Sequence, residues 1–148
     1  MGGPRYVPRA ATPPAPEKKR VLFVCIGNSC RSQMAETFAR AYGSDVMEVQ
    51  SAGVTPATII MPQTKQVLGE KNLRVDGQFP KSLEMVSREA WDIVINMSGV
   101  KLAVPGGRLI EWPVEDPVGQ TDAVYRTVAA QIEGLVLRLI LELRSARA

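Results

Sequence analysis

The sequence predicts an α/β fold in three layers, a four-stranded parallel sheet with helices on both faces. Three observations carry that expectation. Four short segments read as strands, and two of them are almost continuously apolar, as in strands buried on both sides. Segments with helical spacing separate them, and such alternation implies right-handed crossovers between parallel strands. One long amphipathic stretch closes the chain. A length of 148 residues suits one domain, and 45% hydrophobic residues can build its core without covalent staples.

The first 19 residues are set apart by Pro4, Pro8, Pro13, Pro14 and Pro16 with scattered charges. Such a stretch cannot bury enough apolar surface to offset its ordering entropy, so 1–19 is expected to be a disordered basic tail and 20–148 a single domain. The first strand is Arg20–Cys25. A Gly/Asn/Ser loop follows, then a helix from Ser32 to Tyr42 with Met34, Ala35, Phe38 and Ala41 on one stripe and Gly43 as its stop. Asp45 to Ser51 reads as the second strand and Ala52 to Met61 as loop. Pro62 suits the first turn of a helix that ends near Asn72. Pro80 to Ala90 is expected to be helical, and Trp91 to Met97 is a third buried strand. Pro105-Gly106-Gly107 marks a turn before a fourth, Arg108 to Trp112. From Thr121 to Leu143, Val124, Val128, Ile132, Leu135, Leu139 and Leu143 recur at three or four residues, with Thr121 or Asp122 as N-cap.

The formal charge of +3 belongs to the tail. Up to Arg20 there are five basic residues against one acidic, and the remaining 13 basic and 14 acidic residues leave the domain at −1. No basic face for nucleic acid is expected, and no apolar run is long enough to span a membrane. No apolar segment resembling a secretion signal follows the N-terminus, and two cysteines are too few for a disulfide scaffold, so a reducing cytoplasm is expected. The chain has no histidine, so acid–base chemistry near neutrality falls to carboxylates or thiols. No metal and no organic cofactor is expected.

In folds of this class ligands gather beyond the carboxyl ends of the strands. The first strand delivers Cys25 to that edge, followed by Ile26, Gly27, Asn28, Ser29, Cys30, Arg31 and Ser32. A backbone that curls between a strand and a helix N-terminus can point successive N–H groups inward as an anion nest. Arg31 adds a planar fork that matches two oxygens of a tetrahedral oxyanion. The same field favours a thiolate at Cys25 and makes it a nucleophile. Ser32 can donate to the sulfur, and Asn28 can lock the loop through side-chain bonds to backbone. Cys-x5-Arg alone is weak, since chance supplies it often; its place in a strand–loop–helix unit, with glycine and hydroxyl present, makes it specific. A buried structural cysteine would not explain those neighbours. Past the fourth strand, on the same edge, Glu115 and Asp116 offer a carboxyl, stiffened by Pro117.

Val24-Cys25-Ile26-Gly27-Asn28-Ser29-Cys30-Arg31-Ser32 resembles the signature of the low-molecular-weight protein tyrosine phosphatase superfamily, which includes arsenate reductases. The resemblance runs from about Arg20 to the C-terminus and takes in Ser51-Ala52-Gly53 and Asp116-Pro117. It implies a phosphotyrosine phosphatase I-like fold and an enzyme acting on a phosphorylated or oxyanion substrate. It assigns nucleophilic catalysis to Cys25, oxyanion binding to the loop with Arg31, and the general acid to Asp116.

The branch is less determined. Ser29, the run Cys30 to Glu36, and Ser51 to Pro56 resemble the reductase branch. The thioredoxin-coupled members need two further cysteines after the third strand, and those places hold Met97 and Val104, which cannot form a relay disulfide. A reductase here would need a small thiol or a glutaredoxin-type partner. A phosphatase working through a phosphocysteine needs only Cys25, Arg31 and Asp116. Yet members that prefer phosphotyrosine carry aromatic residues after Asp-Pro, where Val118 and Gly119 stand, and Tyr125 lies too far into the next helix. The phosphatase reading is placed first and the reductase second. A non-catalytic oxyanion or thiol sensor comes third, because Asp116 is intact. Cys30 has two readings, a residue packed at the loop base or, on family precedent, a redox partner that traps oxidised Cys25 as a disulfide.

Overall fold

The computed structural model describes residues 18–103 and 107–147. In chain order the elements are β1 (Lys19–Cys25), α1 (Arg31–Tyr42), β2 (Met47–Gly53), α2 (Pro62–Gly69), α3 (Leu83–Val86), β3 (Ile93–Asn96), β4 (Arg108–Glu111) and α4 (Asp122–Ser145). The sheet is parallel throughout with strand order β2-β1-β3-β4, as the alternating pattern predicts.

Strand β1 is central and its side chains divide the core in two. Val21, Phe23 and Cys25 face a large cluster with Met34 and Phe38 of α1, Val67 and Leu68 of α2, and Tyr125, Ile132 and Val136 of α4. Leu22 and Val24 face a smaller one with Ala52, Val86, Trp91 and Val94. Helices therefore cover both faces, but unequally: three pack on one side and the single turn α3 on the other.

Several boundaries differ from the sequence reading for identifiable reasons. Lys19 belongs to β1 and pairs with Met47, so the domain starts one residue before the expected boundary; of the expected tail 1–19, residues 1–17 lie outside the described residues, as do Val104, Pro105 and Gly106. β2 begins and ends two residues later than expected. The N–H groups of Val46 and Met47 turn back to Gly43 O, while pairing with β1 continues to Cys25 opposite Gly53. α2 stops at Gly69, and the chain reverses through Asn72 at φ 60°.

The largest correction concerns Pro80–Ala90, where only Leu83–Val86 is helical. Gly53 N donates to Lys81 O, and Lys81 N donates to Asn28 Oδ1. Tertiary bonds thus hold this backbone extended up to Ser82, whose hydroxyl caps the short turn by accepting from Met85 N. Trp91, expected in β3, donates its Nε1 to Val86 O and lies before the strand, which begins at Ile93. α4 follows its apolar periodicity, with Thr121 as the N-cap accepting from Val124 N. Among the described residues no helix is long and apolar enough to cross a membrane.

Ile132 is fully buried beneath α4, whereas Leu141 on the same helix is 62% exposed. Ile132→Ala is expected to cost about 2–5 kcal/mol in denaturant unfolding, through lost burial and a residual cavity. Leu141→Ala is expected to stay within ~0.5 kcal/mol, as an exposed substitution away from any packed contact. Equal losses at the two positions would contradict this placement of the core.

Candidate active site

Cys25 ends β1 and Arg31 opens α1, so the loop between them crosses the carboxyl edge of the sheet. Its carbonyls are engaged on the outside. Val54 N donates to Cys25 O at 3.1 Å, Thr55 N to Ile26 O at 2.8 Å, Ala57 N to Gly27 O at 2.9 Å and Met61 N to Ser29 O at 3.0 Å. Gln33 Nε2 donates to Asn28 O at 3.0 Å, and Met34 N to Cys30 O at 2.9 Å. The N–H groups of Gly27, Asn28, Ser29 and Cys30 meet no acceptor among the described residues, and Gly27, Ser29 and Cys30 line the hollow. The loop is an anion nest built at a helix N-terminus. Gly53 lets it close: a Cβ there would stand 2.7 Å from Ile26 O and 2.9 Å from Asn28 N.

Asn28 locks the loop, although mostly through side chains rather than the backbone contacts expected. It sits at φ 49°, in the left-handed region that asparagine tolerates. Its Oδ1 accepts from Lys81 N at 3.0 Å, which fixes the orientation of the amide. Its Nδ2 donates to Ser32 Oγ at 2.7 Å and to Ser51 Oγ at 2.9 Å. Ser51 in turn donates to Glu36 Oε1, a carboxylate that can only accept when ionised. Glu36 is 1% exposed and its other oxygen takes Arg40 Nε at 2.8 Å. The direction of the whole chain follows. Ser32 Oγ already accepts from Asn28, so its own hydrogen is free for Cys25 Sγ, 2.8 Å away. That places the hydroxyl where it can donate to a thiolate at Cys25.

Arg31 is buried and tied down on one side: Nη1 donates to Met97 O at 2.5 Å and Val114 O at 2.9 Å. Nη2 lies 3.8 Å from Asp116 Oδ2. The edge carrying Nε and Nη2 thus remains for an oxyanion. Asp116 stands on the loop after β4, half exposed, with Oδ1 accepting from Val118 N and its own carbonyl accepting from Gln120 Nε2. Glu115, the alternative carboxyl, is occupied with Gln120 instead.

Cys25, Ile26, Gly27, Ser29, Cys30, Arg31, Ala57, Met61, Asp116 and Val118 line one cavity of about 250 Å³. The structure therefore gathers Cys25, Arg31 and Asp116, the three side chains that the sequence singles out. Asn28 and Ser32 lie behind the loop and support it. No aromatic residue lines the cavity, and Tyr125 is fully buried in the core. Met97, at one relay position, is 1% exposed and offers only its carbonyl; Val104 lies outside the described residues. Among the described residues no group of three or more His, Cys, Asp or Glu could hold a metal. Sequence reasoning missed the roles of Glu36, Lys81 and Gly53. The spacing of Ser32 and Glu36, four apart and so on one helix face, was the available signal for the first.

Cys30 is 3% exposed, and burial raises its thiol from 9.0 to about 12, against a bond from the Thr64 side chain. Near pH 8, iodoacetamide is expected to modify Cys25 alone, more slowly with phosphate present, and Cys30 only after denaturation. The pH dependence has a definite sign. The unfolded chain releases this proton first, so the Cys30 contribution to stability is complete below pH 9 and declines as pH rises toward about 12. Mass mapping checks the first expectation, and labelling of Cys30 in the native protein would contradict it.

The comparisons with known proteins agree with this site. The family model described as low molecular weight phosphotyrosine protein phosphatase matches residues 20–148. The glutaredoxin arsenate reductase of Synechocystis is 35% identical over 82% of this chain and 96% of its own. A solved arsenate reductase in the phosphate binding state superposes with a TM-score of 0.77 at 34% identity, covering 84% of this chain and 98% of the other. The YwlE arginine phosphatase from Geobacillus stearothermophilus superposes at 0.72 with 25% identity over 87% and 95%. These relatives back the reductase reading, placed second from the sequence, better than the phosphatase reading placed first. The chain is an enzyme of the low molecular weight phosphotyrosine protein phosphatase family, similar to its arsenate reductases.

Proposed function

We propose that this enzyme reduces arsenate, with Cys25 as nucleophile, Arg31 and the loop amides holding the oxyanion, and Asp116 as general acid. The observation that carries the reading is the cavity itself. It is an anion nest with a cysteine at its floor and walls of Ala57, Met61 and Val118, with no aromatic surface to receive a phosphotyrosine ring. A tetrahedral oxyanion needs no such surface. The names of the curated relatives support the same choice.

The Cys25 thiolate attacks arsenic, and Asp116 gives a proton to the departing oxygen, which leaves as water. This forms a Cys25–S–As(V) bond without change of oxidation state. A second thiol must then attack Cys25 Sγ, so that arsenic leaves with the bonding electron pair as arsenite. The electrons come ultimately from a small thiol or a glutaredoxin-type redoxin, as the printed name of the Synechocystis relative suggests. Such chemistry fits a reducing cytoplasm. The loop residues Ile26, Gly27, Asn28, Ser29 and Cys30 bind through backbone amides, and Ser32 stabilises the sulfur by donating to it.

The second reading, hydrolysis of a small phosphomonoester through a phosphocysteine, uses the same Cys25, Arg31 and Asp116. Asp116, 3.8 Å from Arg31, would be its general acid as well. A coupled assay with glutathione, glutaredoxin, glutathione reductase and NADPH separates the two. Arsenate-dependent NADPH oxidation is expected, lost in Cys25→Ser and reduced roughly 10²-fold or more in Arg31→Lys, which removes the planar fork. Hydrolysis of p-nitrophenyl phosphate without any arsenate turnover would overturn the proposal in favour of the phosphatase.

A further inference from the structure

We propose that a second cavity, behind the catalytic loop and built around Lys81, binds a small organic carboxylate with an apolar body. The inference does not depend on whether the enzyme acts on arsenate or on a phosphomonoester.

The cavity measures about 300 Å³ and shares no lining residue with the active site. A small organic ligand fits such a volume. Its lining touches the rear of the loop. Glu36 is the acceptor for Ser51, while the backbone of Lys81 bonds Asn28 and Gly53.

Two carboxylates and two cations line the cavity, and three of these four charges are already matched. Glu36 takes Arg40 Nη2 at 2.7 Å, and Glu89 takes Nη2 of Arg20, outside the lining, also at 2.7 Å. Lys81 is left over. It is 7% exposed, and its ammonium has no hydrogen bond or ion pair with any described residue. What it meets is the face of Phe79, whose ring centre lies 5.0 Å away. An aromatic face replaces only part of the hydration that burial removes, and a cation this buried normally has a counter-ion. Burial pushes its pKa down, and the more distant Glu36 opposes this.

The second observation concerns the apolar part of the lining. Phe79 is 50% and Met85 63% exposed, and Ile59, 60% exposed, lines an adjoining hollow that shares Phe79. Large apolar side chains left in the open around a polar hollow mark a surface that is covered in use. The two observations select one ligand chemistry. A carboxylate supplies the counter-ion that Lys81 lacks, and an aryl or short acyl body covers Phe79 and Met85. A neutral apolar molecule leaves the ammonium unmatched, and a cation finds both carboxylates taken.

The test is a titration of isotope-labelled full-length protein with benzoate, followed through the amide shifts of residues 77–81. Saturable shifts are expected there. Benzamide has the same shape without the charge, and it is expected to bind at least about tenfold more weakly. Lys81→Met is expected to weaken benzoate about tenfold or more, and Lys81→Arg less than about threefold, because the charge is kept. Phe79→Ala alters a half-exposed side chain and is expected to cost about fivefold, so it tests the site even if Lys81→Met does not fold. The inference is overturned by shifts confined to residues 25–31 or by no saturation up to about 10 mM benzoate. Equal binding of benzamide, or undiminished binding to folded Lys81→Met, overturns it as well. None of these results bears on arsenate turnover, so the reductase reading stands or falls separately.

Discussion

The side-chain amide of Asn28 holds the catalytic loop in one arrangement. Its carbonyl oxygen is committed to Lys81 N, so the amide cannot flip without setting two donors against each other. Both hydrogens of its nitrogen are then spent on Ser32 and Ser51. Those bonds leave Ser32 its own hydrogen, 2.8 Å from the Cys25 sulfur. The left-handed backbone at the same residue produces the sharp reversal that brings neighbouring amides to one side.

This constraint explains features remote from the chemistry. Glu36 is a buried carboxylate, costly unless paired and hydrogen-bonded, and here it has Arg40 and Ser51. Lys81 is 7% exposed, its ammonium lies 5.0 Å from the centre of the Phe79 ring, and burial lowers its pKa. Its backbone serves both Asn28 and Gly53. Gly53 permits the close approach of β2 to the loop that a side chain would block. The segment from Val54 to Met61 follows the loop in register and takes up its carbonyls. Preorganisation of this sort lets fixed dipoles stabilise charge without rearranging during reaction.

Much of this was legible in the residues. The apolar run before Cys25, the glycine-containing loop and the helical stripe after Ser32 specify strand, nest and helix, and the Asp-Pro pair beyond β4 reaches the same edge. Periodicity alone defined α4. What escaped was set by contacts distant in sequence. Pro80–Ala90 has no strong signal against a helix, and only its bonds to Asn28 and Gly53 hold its first residues extended. Glu36 read as an ordinary helical glutamate because nothing local indicates that Ser51 faces it. The order of the two activities was not legible either. A cysteine nucleophile, an arginine and an acid serve phosphoryl and arsenyl transfer alike, and the likeness to named reductases is what supports the second reading over the first.

Equilibrium binding of inorganic phosphate, by calorimetry on the reduced protein, tests the preformed nest most directly. Asn28→Ala is expected to weaken phosphate binding at least about tenfold while its circular dichroism stays native, because the amides lose their common direction. An Asn28→Ala protein that binds phosphate as tightly as wild type would contradict a site organised by this side chain.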